Sequence, residues 1–279
     1  MNEIVRFEDL YPSRISKYYA EVTAVSSKPG LVVPQLILGD LSDFTFTPGN
    51  NLLQYRRAET GQEYEGPDVF VRTSFGRREV PTYLLGSHNN ACFGWCEGLV
   101  ECCIERGFII IHFDQRSHGD YTRMDYTKFD PRNLDQVYDL ATTVEPGCFI
   151  YPVLETGLAC GMVHVCPDMG SESEQTRDVS FRVIKCGYKS VYLLELLHCI
   201  RTGKSHHDFG VITSKSLVVD IDIDYFESGS ERDAKRGFIR RSISVMRKTM
   251  SLAGINTIAT SPGFINQRRA IELVTRIMK

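Results

Sequence analysis

No apolar run in the 279 residues approaches the roughly 20 that a helix needs to span a bilayer. The opening Met1-Asn2-Glu3-Ile4-Val5-Arg6 lacks the apolar core of a signal peptide, which predicts a cytoplasmic protein. Neither sign of charge dominates. A formal net charge of −3 gives no electrostatic case for nucleic acid or an anionic membrane as partner. Internal repeats and low-complexity tracts are absent. There is no CxxC pair either: of the nine cysteines, Cys92 and Cys96 are four apart and Cys102 and Cys103 are adjacent. In a reducing compartment such scattered thiols read as small buried hydrophobes, not as a disulfide framework or a thiolate zinc site.

What is present is an ordinary globular composition, 42% hydrophobic and 24% charged, on a chain long enough for one large α/β domain. No composition shift marks a second domain, so residues 1–279 read as one unit. Its first part, 1–80, is rich in turns and short strands. Tyr11-Pro12, Lys28-Pro29-Gly30 and Thr47-Pro48-Gly49 punctuate strand-like runs at 19–23, 31–33 and 69–73, as in a flanking layer. From Pro81 strands and helices alternate. Strands are expected at 82–85, 108–113, 161–166, 179–185, 216–224 and 255–260. Helices are expected at 93–106, 133–143, 149–159, 191–201, 232–252 and 266–278. This order predicts a three-layer α-β-α sandwich around a mostly parallel sheet, with the core spanning 81–279.

The chemistry gathers at strand ends. Phe108-Ile109-Ile110-Ile111-His112-Phe113 suits a strand buried on both faces, and it runs into Asp114-Gln115-Arg116-Ser117-His118-Gly119-Asp120. Ligands of open α/β sheets sit just outside such carboxyl ends. A second strand carries Asp220-Ile221-Asp222-Ile223-Asp224, whose alternation puts all three acids on one face. Side by side they are costly to bury unless a cation neutralises them. A third strand end supplies Gly86-Ser87-His88.

The candidate ligands are therefore His88, Asp114, His118, Asp120, Asp222 and Asp224. Carboxylates and imidazoles in this mixture suit a divalent ion such as Mn²⁺, and there are enough for two. Two ions sharing carboxylates can lower the pKa of a water held between them. Asp220 lies deeper in its strand and reads as a hydrogen-bonded support behind the ligands. His112 is expected to be buried, His164 and His198 to be structural, and His206-His207 to lie in a solvated loop. The basic helix 232–248 is expected to be a solvated face that could meet a peptide or a second subunit, which leaves a homo-oligomer open.

In order and spacing these motifs resemble the arginase/agmatinase (ureohydrolase) superfamily. Gly86-Ser87-His88 matches its Gly-rich strand end with His. Asp114 to Asp120 matches its Asp-x-His-x-Asp strand end, and Asp222-Ile223-Asp224 its later Asp-x-Asp. His112-Phe113-Asp114-Gln115, Asp220 to Phe226 and Ser261-Pro262-Gly263-Phe264-Ile265 are similar to a branch with bacterial peptide arginases. These convert arginine residues of ribosomal peptides to ornithine. The likeness covers about residues 82–275.

It implies an arginase-like fold and two Mn²⁺ ions, one on His88 and Asp120, the other on His118 and Asp224. Asp114 and Asp222 would bridge them and orient a hydroxide that attacks the guanidinium carbon and releases urea. Two features depart from the pattern. Arg116-Ser117 stretches the spacing to Asp-x-x-x-His-x-Asp: either the loop bulges and His118 still ligates, or Arg116 takes the histidine's place and one ion is lost. Residues 258–262 carry no acid like the Glu that free-arginine enzymes place before their last strand-end Pro. The missing Glu, with no recognisable loop for an amino-acid head group after Asp120, favours an arginine inside a peptide. The rival readings are an agmatinase, a formiminoglutamase or a zinc deacetylase on the same scaffold, and a non-catalytic peptide-binding protein. A deacetylase would need adjacent histidines at a strand end. A phosphatase is disfavoured because Tyr225-Phe226 supplies no Thr or Ser beside Asp222-Ile223-Asp224.

Overall fold

The structure is a computed structural model that describes residues 35–38, 44–48, 53–57, 63–65, 69–86, 88–115, 129–133, 136, 149–167, 177–178, 183–227, 232–261 and 264–279. Its strands are β1 (Gln35–Leu38), β2 (Phe44–Pro48), β3 (Leu53–Arg57), β4 (Glu63–Glu65), β5 (Val69–Phe75), β6 (Val80–Leu85), β7 (Phe108–Phe113), β8 (Ala159–Cys166), β9 (Arg177–Asp178), β10 (Val183–Gly187), β11 (Ser205–His206), β12 (Gly210–Val211), β13 (Leu217–Asp222) and β14 (Ile255–Ala259). Its helices are α1 (Ala91–Val100), α2 (Ile150–Glu155), α3 (Val191–Thr202), α4 (Arg232–Met250) and α5 (Gln267–Met278).

A nine-stranded sheet runs in the order β1-β5-β6-β14-β13-β7-β8-β10-β9. The six strands from β6 to β10 in that order pair in parallel. β5 and β9 pair antiparallel at either side of them. The expected α/β sandwich is thus present, with a sheet wider than the 81–279 core. β1 and β5, from the first 80 residues, extend it on one side, while β2, β3 and β4 form a small antiparallel sheet of their own. The strand-like runs at 19–23 and 31–33, and the helix expected at 133–143 apart from 133 and 136, lie outside the described residues.

Side-chain alternation divides the core into two faces. Ile109, Ile111 and Phe113 of β7 point with Leu217, Val219 and Ile221 of β13 toward α3, α4 and α5. Helix α4 meets them with Ile239, Ile243, Met246 and Met250, and α5 with Ala270, Leu273, Val274 and Ile277, both at helical spacing. Phe108 and Ile110 point the other way, with Val218 and Ile255, toward Trp95 of α1 and Phe149 beside α2. Past those apolar residues the second face turns polar: His112 and Asp114 follow Ile110, and Asp220 and Asp222 follow Val218. One face of the sheet is therefore greasy at its amino end and ionisable at its carboxyl end.

Several boundaries differ from expectation for local reasons. Helix α1 ends at Val100 and not near 106, because Gly98 accepts hydrogen bonds from the amides of both Cys103 and Ile104 and Cys102 adopts φ 60°. Helix α2 ends at Glu155, and Gly157 at φ 68° turns the chain into β8. The strand expected to reach 224 stops at Asp222. Ile223–Glu227 is a 3₁₀ turn, so Asp224 does not share the strand face with Asp220 and Asp222. Helix α3 keeps its expected place, capped by Ser190, whose Oγ accepts from the Leu193 amide, and closed by Gly203 at φ 68°.

Candidate metal centre

Register brings the polar face together. Asp220 of β13 is paired with His112 of β7 on one side and Thr257 of β14 on the other. His112 is in turn opposite His164 of β8. Beyond this row, Asp222 closes β13 and Asp114 follows β7. His88 opens the 3₁₀ turn after β6. All of these residues are at most 5% exposed.

The inner row is a closed hydrogen-bond set. Asp220 Oδ2 accepts from His88 Nε2 at 2.7 Å and from His112 Nδ1 at 2.8 Å. Its Oδ1 accepts from Thr257 Oγ1 at 2.5 Å, and Trp95 Nε1 donates to that hydroxyl at 3.3 Å. Burial would push the Asp220 carboxyl up, but the two histidines outweigh it and hold the group well below the usual carboxylate range. Burial likewise opposes charge on His88, and the Asp220 and Asp222 carboxylates overcome it, raising its pKa well above the ordinary value. For His112 burial is again outweighed, by hydrogen bonds to Asp114 and Asp220 and by their charge. With its lone pairs directed at these donors, Asp220 supports the histidines from behind.

The outer group faces the strand ends. His88, Asp114 and Asp222 each offer an atom within 4.8 Å of the other two, a spacing able to hold a metal ion. His88 Nδ1 lies 3.1 Å from Asp222 Oδ2. Because Asp220 holds the proton on Nε2, Nδ1 is the nitrogen that would give up its proton and turn a lone pair to a cation. Asp224 completes the crowd. Burial, then the charges of Asp222 and Asp114, push its carboxyl up to about 8. A divalent cation would reverse that by neutralising the acids, which is the fit expected of a metal centre. These buried histidine and aspartate groups are thus positioned to hold a metal ion.

His118 and Asp120, with the Arg116-Ser117 stretch before them, lie outside the described residues. His112, expected only to be buried, is part of the constellation: its Nε2 is 3.2 Å from Asp114 Oδ2. Its i, i+2 spacing from Asp114 was the available signal, since it places both on one face. His164 is buried below, with Nε2 3.3 Å from the Asp114 carbonyl oxygen. Thr257 and Trp95, and Ser261 beyond its place in the Ser261-Pro262-Gly263 motif, gain a role only once β14 is laid beside β13. His198 lies on the exposed side of α3. His206, expected in a solvated loop, is buried in the β11–β12 hairpin against Tyr192 and Phe209, and only His207 is half-exposed. With Glu195 the two form another group of metal-ligating type, mostly at the surface. His206 Nδ1 already accepts from the Asp208 amide, however.

No helix among the described residues is long and apolar enough to cross a membrane. Compared with known proteins, the chain matches no protein-family model and no curated sequence.

Proposed function

We propose that the chain is a binuclear manganese hydrolase that converts an arginine residue within a peptide to ornithine and urea. The observation that carries this reading is the outer group. His88, Asp114 and Asp222 converge at the ends of β6, β7 and β13, and the Asp224 carboxyl is crowded against the same acids. In this reading His88, Asp114, His118, Asp120, Asp222 and Asp224 would hold the ions, with Asp114 and Asp222 the acids that both ions would share. When bound, two such ions supply a water of lowered pKa and positive charge against the tetrahedral transition state. The chain's own residues do the placing. Asp220 fixes the His88 ring, and Asp114 and Asp222 set where the attacking water must stand.

The reaction adds water to the guanidinium carbon and breaks its bond to the side-chain nitrogen. That nitrogen leaves as the protonated amine of ornithine, and the carbon leaves as urea. Preference for a peptide is supported by the lack of an acid in residues 258–262 to grip a guanidinium. β1 stands at one end of the strand order, where an extended peptide could add as a further strand.

The test is to load the full chain with Mn²⁺ and incubate it with an arginine-containing peptide. Urea should appear with a mass loss of about 42 Da per arginine in the peptide. Tight manganese binding without either product would overturn the hydrolase reading.

A further inference from the structure

Three described residues other than glycine have positive φ: Glu79, Cys102 and Ser261. The first two lie in exposed turns. Ser261, at φ 46°, is 6% exposed and follows the carboxyl end of β14. A left-handed backbone strains any residue with a Cβ, and a buried instance next to a cluster of ionisable groups calls for a reason. The surroundings hold the strain in place. The Thr260 amide donates to the Leu85 carbonyl at 2.9 Å and the Ser261 amide to Gly86 at 3.2 Å, tying this corner to the end of β6. The Ser261 carbonyl accepts from the Phe264 amide at 3.1 Å. With the backbone so fixed, Ser261 Oγ donates to Asp222 Oδ1 at 2.6 Å.

That oxygen has a second donor, the Asp224 amide at 2.9 Å. A carboxylate oxygen has two in-plane lone pairs, and here both are used. The other oxygen, Oδ2, is the one beside His88 Nδ1. The two oxygens of Asp222 therefore have separate tasks: one is clamped by the protein and one is turned toward the metal-ligating group.

We propose that Ser261 is a positioning residue. Its strained backbone aims the hydroxyl at Asp222 Oδ1, so that Asp222 meets a cation through Oδ2 alone. Any sharing of Asp222 between two ions then runs through that single oxygen. This inference rests on the metal-centre reading above and adds to it the group that sets the ligand's orientation.

Two variants separate orientation from folding. Ser261→Ala keeps the strained Cβ and removes only the hydroxyl. Ser261→Gly removes the hydroxyl and relieves the strain as well, so it should melt, metal-free, no lower than the wild type. Both should bind Mn²⁺ about tenfold or more weakly in a direct titration, the scale typical of groups that orient a metal ligand. Wild-type affinity in Ser261→Gly would overturn the inference while leaving the metal centre intact. A wild-type chain that takes up no Mn²⁺ would overturn the metal centre and the inference together.

Discussion

Nε2 of His88 donates to Oδ2 of Asp220 across 2.7 Å, although 132 positions separate them in the chain. That bond fixes the tautomer and leaves Nδ1 for a cation. Asp220→Asn replaces an anion that also receives His112 and Thr257 by a neutral amide. We expect Mn²⁺ affinity to fall about tenfold to a hundredfold. Unpairing the buried histidines should also cost about 3 kcal/mol of stability in chemical denaturation. An affinity equal to wild type would show that Asp220 does not orient His88 for metal.

Asp222 occupies the centre of the outer group. Asp222→Ala should remove most bound manganese by elemental analysis and abolish urea release. Retention of full activity would refute its assignment as a bridging ligand.

The Asp-x-x-x-His-x-Asp spacing makes a distinct prediction. Arginine has no lone pair to give a cation at any ordinary pH, so Arg116 cannot stand in for a histidine ligand. His118→Ala should hold one ion fewer per chain than the wild type, and Arg116→Ala should hold the same number. The opposite stoichiometry would mean that the strand-end loop has been aligned in the wrong register.

A pH effect should arise away from the candidate metal centre. Glu97 of α1 is 1% exposed, accepts from Tyr83 OH at 2.7 Å and pairs with Arg72 at 3.4 Å. Burial raises its pKa from 4.5 to about 7, with Arg72 opposing the rise. Between those values the folded chain keeps a proton that the unfolded chain has lost. Stability from this group is complete below about pH 4.5 and falls as pH rises toward 7, by about 3 kcal/mol in all. Urea melts of the metal-free protein at pH 5 and 7.5 should show a decline that Glu97→Gln flattens. An equal decline in the variant would assign it to other groups.

Substrate size gives the last expectation. An arginine inside a peptide carries neither α-ammonium nor α-carboxylate, and its backbone can supply binding away from the reacting carbon. kcat/KM for such a peptide should far exceed that for free arginine or agmatine. Turnover of free arginine as good as or better than the peptide would instead indicate an ordinary ureohydrolase.

Much of this was legible in the residues. The run Phe108 to Phe113 announces a strand buried on both faces, and the acids after it announce a site at its end. The stop at Asp222 was not legible, because Ile223-Asp224-Tyr225-Phe226 continues the alternation of a strand. What bends it into a turn is partly local, the Asp224 amide bonding to the Asp222 side chain, and partly tertiary, Tyr225 and Phe226 packing against Phe238 of α4. Thr257 and Ser261 were illegible for a related reason. Their neighbour is β13, and nothing in β14 itself says which strand lies beside it. His206 was misjudged because a polar sequence neighbourhood hides the aromatic pocket formed by Tyr192 and Phe209.

The interleaved strand order has a consequence for how the protein comes into being. The groups around Asp220 are drawn from positions 108 and 132 residues upstream and 37 downstream. No contiguous segment emerging from the ribosome carries both His88 and Thr257 until synthesis has run past β14. Because β14 inserts between β6 and β13, the sheet is zipped shut only when its last strand arrives, and contacts of such long sequence separation form slowly. Capture of a metal ion by these groups would therefore come late in biogenesis. A fragment lacking β14 would offer at most scattered ligands, so ion binding would report that this strand has reached its slot.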